Sequence, residues 1–116
     1  MIPMEIIRDT ITLLELNEKA AALFGNMVKA VVDVDRELMA VDAELHSDLE
    51  ALLLDDGSKQ ANLWGINLYP ELQGEDFVEF DSMINVRPSQ NNRSRNVLDP
   101  AIRGRIAAVV GKKIRR

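Results

Sequence analysis

Apolar residues that recur at helical spacing predict a first helix near the start of the chain. On a helix over residues 12–24, one stripe would hold Leu13, Leu16, Ala20, Leu23 and Phe24. Thr12 and Glu15 have the spacing of a capping box, in which each side chain accepts a hydrogen bond from a backbone N–H at the helix start. Gly25 follows the last apolar position, as is typical of a helix C-terminus.

Two further helices are predicted by similar signals. Ser47, with a glutamate three residues later, repeats the capping signature, and Gly57 ends a short helix over residues 48–56. The last helix begins with Asp99 as a capping acid and Pro100 at the first helical position. Its predicted buried stripe consists of Leu98, Ile102, Ile106, Val109 and Val110.

Alternating and β-branched residues predict four strands between these helices. Residues 27–34 and 38–41 form the first pair, which is antiparallel because the connection is too short for a parallel crossover. Residues 63–69 form the third strand. Residues 77–87 alternate for eleven positions and predict a long, half-exposed fourth strand, in which we expect a bulge or a break near Ser82.

The predicted order of elements is therefore α-β-β-α-β-β-α. Two hairpins and three helices are typical of an α+β fold in which helices cover one face of a mainly antiparallel sheet of about four strands. At 116 residues, the chain has the length of a single domain, residues 1–116, with one hydrophobic core.

Composition narrows the classes of function. The chain contains no cysteine, which excludes disulfides, thiolate metal sites and a cysteine nucleophile and favours a reducing cytoplasm. No segment has the pattern of a signal peptide or the roughly 20 apolar residues of a membrane span. We therefore expect a cytoplasmic protein with no membrane partner.

Charge is distributed unevenly along the chain. Residues 87–116 contain nine Lys or Arg and one acid, for a net charge of +8, whereas residues 1–86 carry −13. Either the two parts neutralise each other within the domain, or the basic third binds a phosphate-bearing partner. Because the acidic body would repel a long polyanion, a small anionic ligand fits better than a long nucleic acid.

The densest cluster of basic and small polar side chains is the stretch RPSQNNRSR, residues 87–95, in the predicted loop before the last helix. Loops of this length in compact domains are often functional, and guanidinium groups match phosphate and carboxylate geometry. The candidate anion ligands are Arg87, Ser89, Arg93, Ser94 and Arg95. The alternative is that these arginines pair with internal acids such as Glu79 and Asp81.

A weakly repeated pattern places two asparagines in similar positions. The segments INLYP and INVRP both read I-N-aliphatic-x-P, with Asn67 and Asn85 in the middle of predicted strands. If those strands are neighbours, the two amides could meet, and buried amides need hydrogen-bond partners. We therefore include both residues among the candidate ligand-binding residues.

His46 is the only histidine and directly precedes the predicted helix cap Ser47. A helix N-terminus disfavours imidazolium, so a neutral His46 could act as a general base, with Glu44 or Asp81 as its orienting carboxylate and Arg87 as an electrostatic clamp. The acids of the first hairpin, Asp33, Asp35, Asp42 and Glu44, could also gather near His46 around a cation. Acids at strand ends are usually solvated turn residues, so we assign no metal.

Other functional signatures do not occur in the sequence. Glycine-rich phosphate loops, a dinucleotide fingerprint, the nucleophile elbow and the zinc-protease motif are all missing, so no cofactor is indicated. The few aromatic residues are too widely spaced for stacking on single-stranded nucleic acid.

Three stretches carry a resemblance to a known family: VKAVVDV, AELHSDLEALLLDDGSKQANLWGINLYPE and FVEFDSMINVRPSQNNRSR. On these residues the chain resembles a family of small prokaryotic proteins of unknown function, and the resemblance covers nearly its whole length. The resemblance implies no activity, ligand or partner, and no residue role is carried over.

Three hypotheses for function follow from the residues. The first is a small binding protein that holds a phosphate- or carboxylate-bearing ligand at residues 87–95. The second is a hydrolase or lyase that uses His46 as general base. The third is a protein–protein interaction module whose surface, with acidic and basic regions, supports self-association, for example as a homodimer.

Overall fold

The computed structural model describes residues 4–116 and contains a five-stranded sheet in the order β1-β4-β3-β5-β6. Residues 1–3, which begin the N-terminal segment that we expect not to be a signal peptide, lie outside the described residues. All four pairings in this sheet are antiparallel. A second, parallel pair joins β2 to β7. The strands are β1 Glu5–Ile7, β2 Ile11–Thr12, β3 Val28–Asp33, β4 Leu38–Val41, β5 Leu63–Leu68, β6 Val78–Glu79 and β7 Ile114–Arg115.

Three α-helices pack on the five-stranded sheet: α1 Leu13–Leu23, α2 His46–Asp55 and α3 Pro100–Lys113. Alternate residues of the strands belong to two hydrophobic clusters. Ala30, Val32 and Ile66 pack with α1 and α3, whereas Val31 and Leu63 pack with α2. The α+β class is thus confirmed, but the expectation that helices cover one face is wrong. The central strand β3 is apolar on both faces, so both faces need a helix.

Several sequence predictions are confirmed in detail. The α1 capping box is complete: Thr12 Oγ1 accepts from the Glu15 N–H at 3.1 Å, and Glu15 Oε1 accepts from the Thr12 N–H at 3.3 Å. Asp99 caps α3 by accepting from the Ala101 N–H at 2.9 Å, with Pro100 at the first helical position. The β3–β4 hairpin is antiparallel, as predicted.

Two local predictions about the helices are wrong. Helix α2 begins at His46 and its N-cap is Leu45, so Ser47 lies inside the first turn and does not cap the helix. Leu98 was predicted in the buried stripe of the last helix, but it is 49% exposed and the preceding Val97 is fully buried. The last residues of the loop thus turn Val97, instead of Leu98, toward the core. These differences change which side chains reach the helix N-terminus and the core.

The predicted long strand over residues 77–87 is also wrong, because β6 contains only Val78 and Glu79. The chain then leaves the sheet, and a 3-10 turn, Met83–Asn85, begins near the position where we expected a break. The buried Asn85 side chain pairs with β5 in place of a strand: Oδ1 accepts from the Gly65 N–H at 2.8 Å and Nδ2 donates to the Gly65 C=O at 2.9 Å. One amide side chain thus substitutes for a backbone peptide group.

Three strands were not predicted. β1 adds to the edge of the sheet beside β4, and the two-residue strands β2 and β7 bring the ends of the fold together. Strands of two or three residues are too short to carry a periodic signal. In the described part of the chain, no helix is long and apolar enough to cross a membrane.

Candidate functional site

A row of polar side chains crosses the face of the sheet that α2 covers. Lys29 on β3 is paired in register with Asn67 on β5, and Asn67 is paired with Glu79 on β6. Adjacent strands lie about 4.8 Å apart, so this row places a cation, an amide and a carboxylate side by side. Because α2 leaves this end of the sheet uncovered, the row forms the floor of a cavity.

We call this cavity the α2 pocket; its volume is about 370 Å³. Its wall includes the first turn of α2, with Leu45, His46 and Ser47, and the segment after β6, with Asp81 and Met83. Leu45 and Met83 are 57% and 68% exposed, so the pocket has an apolar rim around a polar floor. No side chain of the described chain caps the N-terminus of α2, so the N–H groups of His46 and Ser47 have no capping acceptor, while the Asp48 N–H donates to the Leu45 carbonyl oxygen at 3.2 Å.

His46 is buried in the wall of the pocket. Its Nε2 lies 2.8 Å from the carbonyl oxygen of Ile66, so this nitrogen carries the proton and donates it to the backbone. Desolvation lowers the pKa of His46, and the positive charges of Lys29 and Arg95 lower it further, against the Ile66 hydrogen bond and Asp81. His46 is therefore neutral at pH 7, and within residues 4–116 its Nδ1 makes no hydrogen bond.

Asn67 is 4% exposed and occupies the centre of the pocket floor. Its Nδ2 donates to Glu79 Oε1 at 2.8 Å and to the Asp81 carbonyl oxygen at 3.3 Å, which fixes the orientation of the amide. Its Oδ1 is buried and has no hydrogen-bond partner among the residues that the structure describes. A buried acceptor without a donor is unfavourable, so this oxygen marks a position where a donor would bind.

Two cations and two carboxylates line the pocket. Arg95 Nε lies 2.8 Å from Asp81 Oδ1, while Glu79 Oε1 accepts from both Asn67 and the Tyr69 hydroxyl. Lys29 differs from these groups: no carboxylate of residues 4–116 lies within 4.0 Å of its ammonium, which instead lies 5.5 Å from the centre of the Phe24 ring. Lys29 is thus a pocket cation without an ionic partner in the described chain.

The loop over residues 87–95 contributes only Arg95 to this pocket. Arg87 is buried, and its guanidinium lies 4.5 Å from the centre of the Trp64 ring. Its guanidinium makes four internal hydrogen bonds, to the carbonyl oxygens of Ile84, Gln60 and Leu63 and to the Gln90 amide oxygen, and Glu50 Oε2 lies 4.0 Å from Nη2. Arg87 therefore supports the interior of the fold and does not line the α2 pocket.

The other predicted loop ligands lie outside the pocket. Ser89 and Arg93 are exposed, and Ser94 Oγ accepts from the Asn96 N–H at 3.0 Å. Asn92, which we did not single out, organises the loop: its Nδ2 donates to the carbonyl oxygens of Asn85, Ser94 and Asn96, and its Oδ1 accepts from Leu98. The sequence held no local signal for this role, because only burial distinguishes Asn92 from the other polar residues of the loop.

Asn67 and Asn85, the asparagines of the repeated I-N-aliphatic-x-P pattern, do not contact each other. Asn85 binds the backbone of Gly65 and donates to the Arg95 carbonyl oxygen at 3.0 Å, so its amide is saturated within the fold. Asn67 faces the α2 pocket. Of the two, only Asn67 belongs to the candidate site.

The predicted cluster of hairpin acids around His46 does not form. Asp42 has a φ of +80°, which turns the chain, and the exposed Glu44 borders a different cavity. The buried Asp33 accepts from the Asp35 and Arg36 N–H groups and from Ser58 Oγ, so it stabilises the hairpin turn. In the described part of the chain, no group of three or more potential ligands is placed to hold a metal ion. Ile66, rather than Glu44 or Asp81, orients His46.

A larger cavity of about 820 Å³ lies between α3 and β6. Apolar side chains such as Val78 and Phe80 dominate its lining, and Arg103 lies over the Phe80 ring. It contains neither the unpartnered acceptor nor the histidine found in the α2 pocket. The smaller cavity is therefore the better candidate site on chemical grounds.

Comparison with known proteins adds one finding. A family model described as a protein of unknown function, DUF5674, matches residues 5–113, which confirms the resemblance to a family of unknown function. No curated protein and no solved structure matches the chain.

Proposed function

The chain belongs to the DUF5674 family, and we propose that it binds a small carboxylate- or phosphate-bearing ligand in the α2 pocket. This moves the anion site predicted at residues 87–95 toward the N-terminus of α2, with Arg95 as the part of the loop that takes part. Ligand sites in proteins are concave, and their few polar groups converge on one volume.

The observation that carries the proposal is the state of Lys29. Lys29 lines the pocket, and no carboxylate of the described chain lies within 4.0 Å of its ammonium. The N–H groups of His46 and Ser47 at the α2 N-terminus border the same pocket without a capping acceptor in the described chain. Backbone N–H groups at a helix N-terminus and a nearby ammonium both stabilise negative charge. An anion in the pocket would give Lys29 the partner that the fold does not provide.

Thermal unfolding with and without anions tests this proposal. We would titrate acetate, citrate, inorganic phosphate and ribose 5-phosphate and follow the midpoint of unfolding, which rises for any ligand that binds the folded state alone. A Lys29→Met variant should lose at least about tenfold in affinity, the value of one charge-assisted hydrogen bond. Lys59→Met, which removes an exposed lysine outside the pocket, is the matched control. Equal affinity in both variants would exclude Lys29 as the anion partner.

The geometry of His46 favours a second function, acid–base catalysis by a hydrolase or lyase. The Ile66 carbonyl holds the ring through Nε2, and the depressed pKa keeps Nδ1 as an unprotonated base. A His46→Gln variant, which can still donate to Ile66, should lower the turnover of nitrophenyl esters or phosphates at least about 100-fold. Turnover that is absent in the wild type, or unchanged in the variant, would remove this function.

We propose a cytoplasmic location for the protein, which the lack of cysteine supports.

We also propose self-association as a third function, since residues 87–116 carry a net charge of +8 and residues 1–86 carry −13. Light scattering tests it, because a charge-driven dimer should dissociate as salt screens the charges. A single monomer mass at low and high salt would exclude it.

A further inference from the structure

We propose that the ligand of the α2 pocket is a small zwitterion of amino-acid or dipeptide size. Its carboxylate would bind near Lys29 and the α2 N-terminus, and its ammonium near Asn67, Glu79 and Asp81. This inference rests on the proposed function and adds the second half of the ligand. It starts from the acceptors in the pocket, which a simple anion cannot satisfy.

The end of the pocket beside β6 presents hydrogen-bond acceptor atoms without donors in the described chain. Asn67 Oδ1 is buried without a partner in the described chain. The internal bonds of Glu79 and Asp81 use one oxygen of each carboxylate, Oε1 and Oδ1, which leaves Glu79 Oε2 and Asp81 Oδ2 for a ligand. An ammonium group has three N–H donors, whereas a carboxylate has none and the phosphate group of a monoester dianion has none.

The charge of the pocket supports the same class of ligand. Lys29 and Arg95 balance Glu79 and Asp81, and His46 is neutral, so the lining has no net charge at pH 7. A bare anion would lie against two carboxylates, and a bare cation against two basic groups. A zwitterion is neutral overall, and each of its ends can face the opposite charge.

The spacing of the row sets the size of the ligand. Lys29 and Glu79 are two strands apart, about 10 Å between backbones, and long side chains can close on a shorter molecule. A cavity of about 370 Å³ is near the lower end of the range for small-molecule sites. The exposed apolar side chains of Leu45 and Met83 would contact an aliphatic side chain of the ligand.

Isothermal titration with a matched set of ligands tests the inference. Leucine and glycyl-leucine represent the zwitterions, 4-methylpentanoate lacks the ammonium, and 3-methylbutylamine lacks the carboxylate. Ribose 5-phosphate represents ligands that provide hydroxyl donors with a phosphate. We expect leucine or glycyl-leucine to bind at least about tenfold more tightly than each single-charge analogue, since each end adds one charge-assisted interaction.

Two variants locate the two ends of the ligand. Glu79→Gln should weaken the binding of the zwitterion at least about tenfold without weakening that of 4-methylpentanoate, whereas Lys29→Met should weaken both. Glu71→Gln, at an exposed position outside the pocket, is the control. A circular dichroism melt of each variant establishes that it folds, and Asn67→Asp provides a second probe of the end beside β6 if Glu79→Gln does not fold.

The outcomes separate the inference from the proposed function. If 4-methylpentanoate binds as tightly as leucine, or if ribose 5-phosphate binds and neither zwitterion does, the zwitterion inference is overturned and the anion site stands. If no anion and no zwitterion binds, both are overturned. Binding of leucine but not glycyl-leucine, or the reverse, supports the inference and separates a free amino acid from a dipeptide.

Discussion

Replacement of Asn85 by alanine should destabilise the protein strongly, although Asn85 lies outside the ligand pocket. Asn85 is fully buried, and its amide provides the partners of the Gly65 N–H and C=O. The Arg95 carbonyl oxygen, a third partner, keeps its bond from the Ser82 N–H. In the variant, the buried Gly65 N–H and C=O groups therefore lose the partner that Asn85 provides. Each loss should lower the free energy of unfolding by about 1–3 kcal/mol, or about 2–6 kcal/mol in total.

A loss of this size is a large part of the roughly 5–15 kcal/mol that stabilises a typical domain. We would measure urea unfolding through the fluorescence of Trp64, which lies on the same strand as Gly65. The midpoint of thermal unfolding should fall by about 8–25 °C, at about 4 °C per kcal/mol for a domain of this length. Asn26→Ala, at an exposed position, is the control and should change stability by less than about 0.5 kcal/mol. A loss below about 1 kcal/mol in Asn85→Ala would refute the role of the amide as a substitute for a strand.

Three other changes test separate features of the fold. Because burial lowers the pKa of His46, the unfolded state binds a proton that the folded state does not, and the free energy of unfolding should fall as the pH drops below about 6.5. His46→Gln should reduce the dependence of the free energy of unfolding on pH in acid titrations. Gly65→Ala would place its Cβ 2.6 Å from Ser82 Cβ and should cost about 1–3 kcal/mol in urea unfolding, which Ser82→Gly should partly restore; additive losses would contradict the contact. Asn92→Ala removes four hydrogen bonds and should accelerate trypsin cleavage within residues 87–99, whereas an unchanged cleavage rate would show that the loop is held by other contacts.

Much of the fold was predictable because its signals are local. The Thr12 capping box, the Asp99–Pro100 helix start and the hairpin between β3 and β4 depend on residues within a few positions of each other. The long fourth strand failed because its alternating pattern competes with a distant interaction. Asn85 can reach Gly65 only if the chain leaves the sheet after Glu79, and no periodicity encodes that choice.

The site was only partly predictable for a similar reason. His46, Asp81, Arg95 and Asn67 were candidates for separate reasons, and the fold brings all four to one pocket. Lys29 was missed because it is one polar residue on an apolar strand. Arg87 was assigned to a ligand because composition does not distinguish an exposed guanidinium from one that internal carbonyl groups surround.

The short length of β6 leaves much of β5 at the boundary of the sheet, where unpaired peptide groups can recruit strands from other molecules. Asn85 occupies the Gly65 groups, the Arg87 guanidinium donates to the Leu63 carbonyl oxygen, and the Leu63 N–H donates to Gln60. Side chains thereby block a surface that would otherwise template intermolecular β-pairing. Variants at these positions are therefore expected to form aggregates in proportion to the edge they uncover, even under conditions in which the monomer still folds.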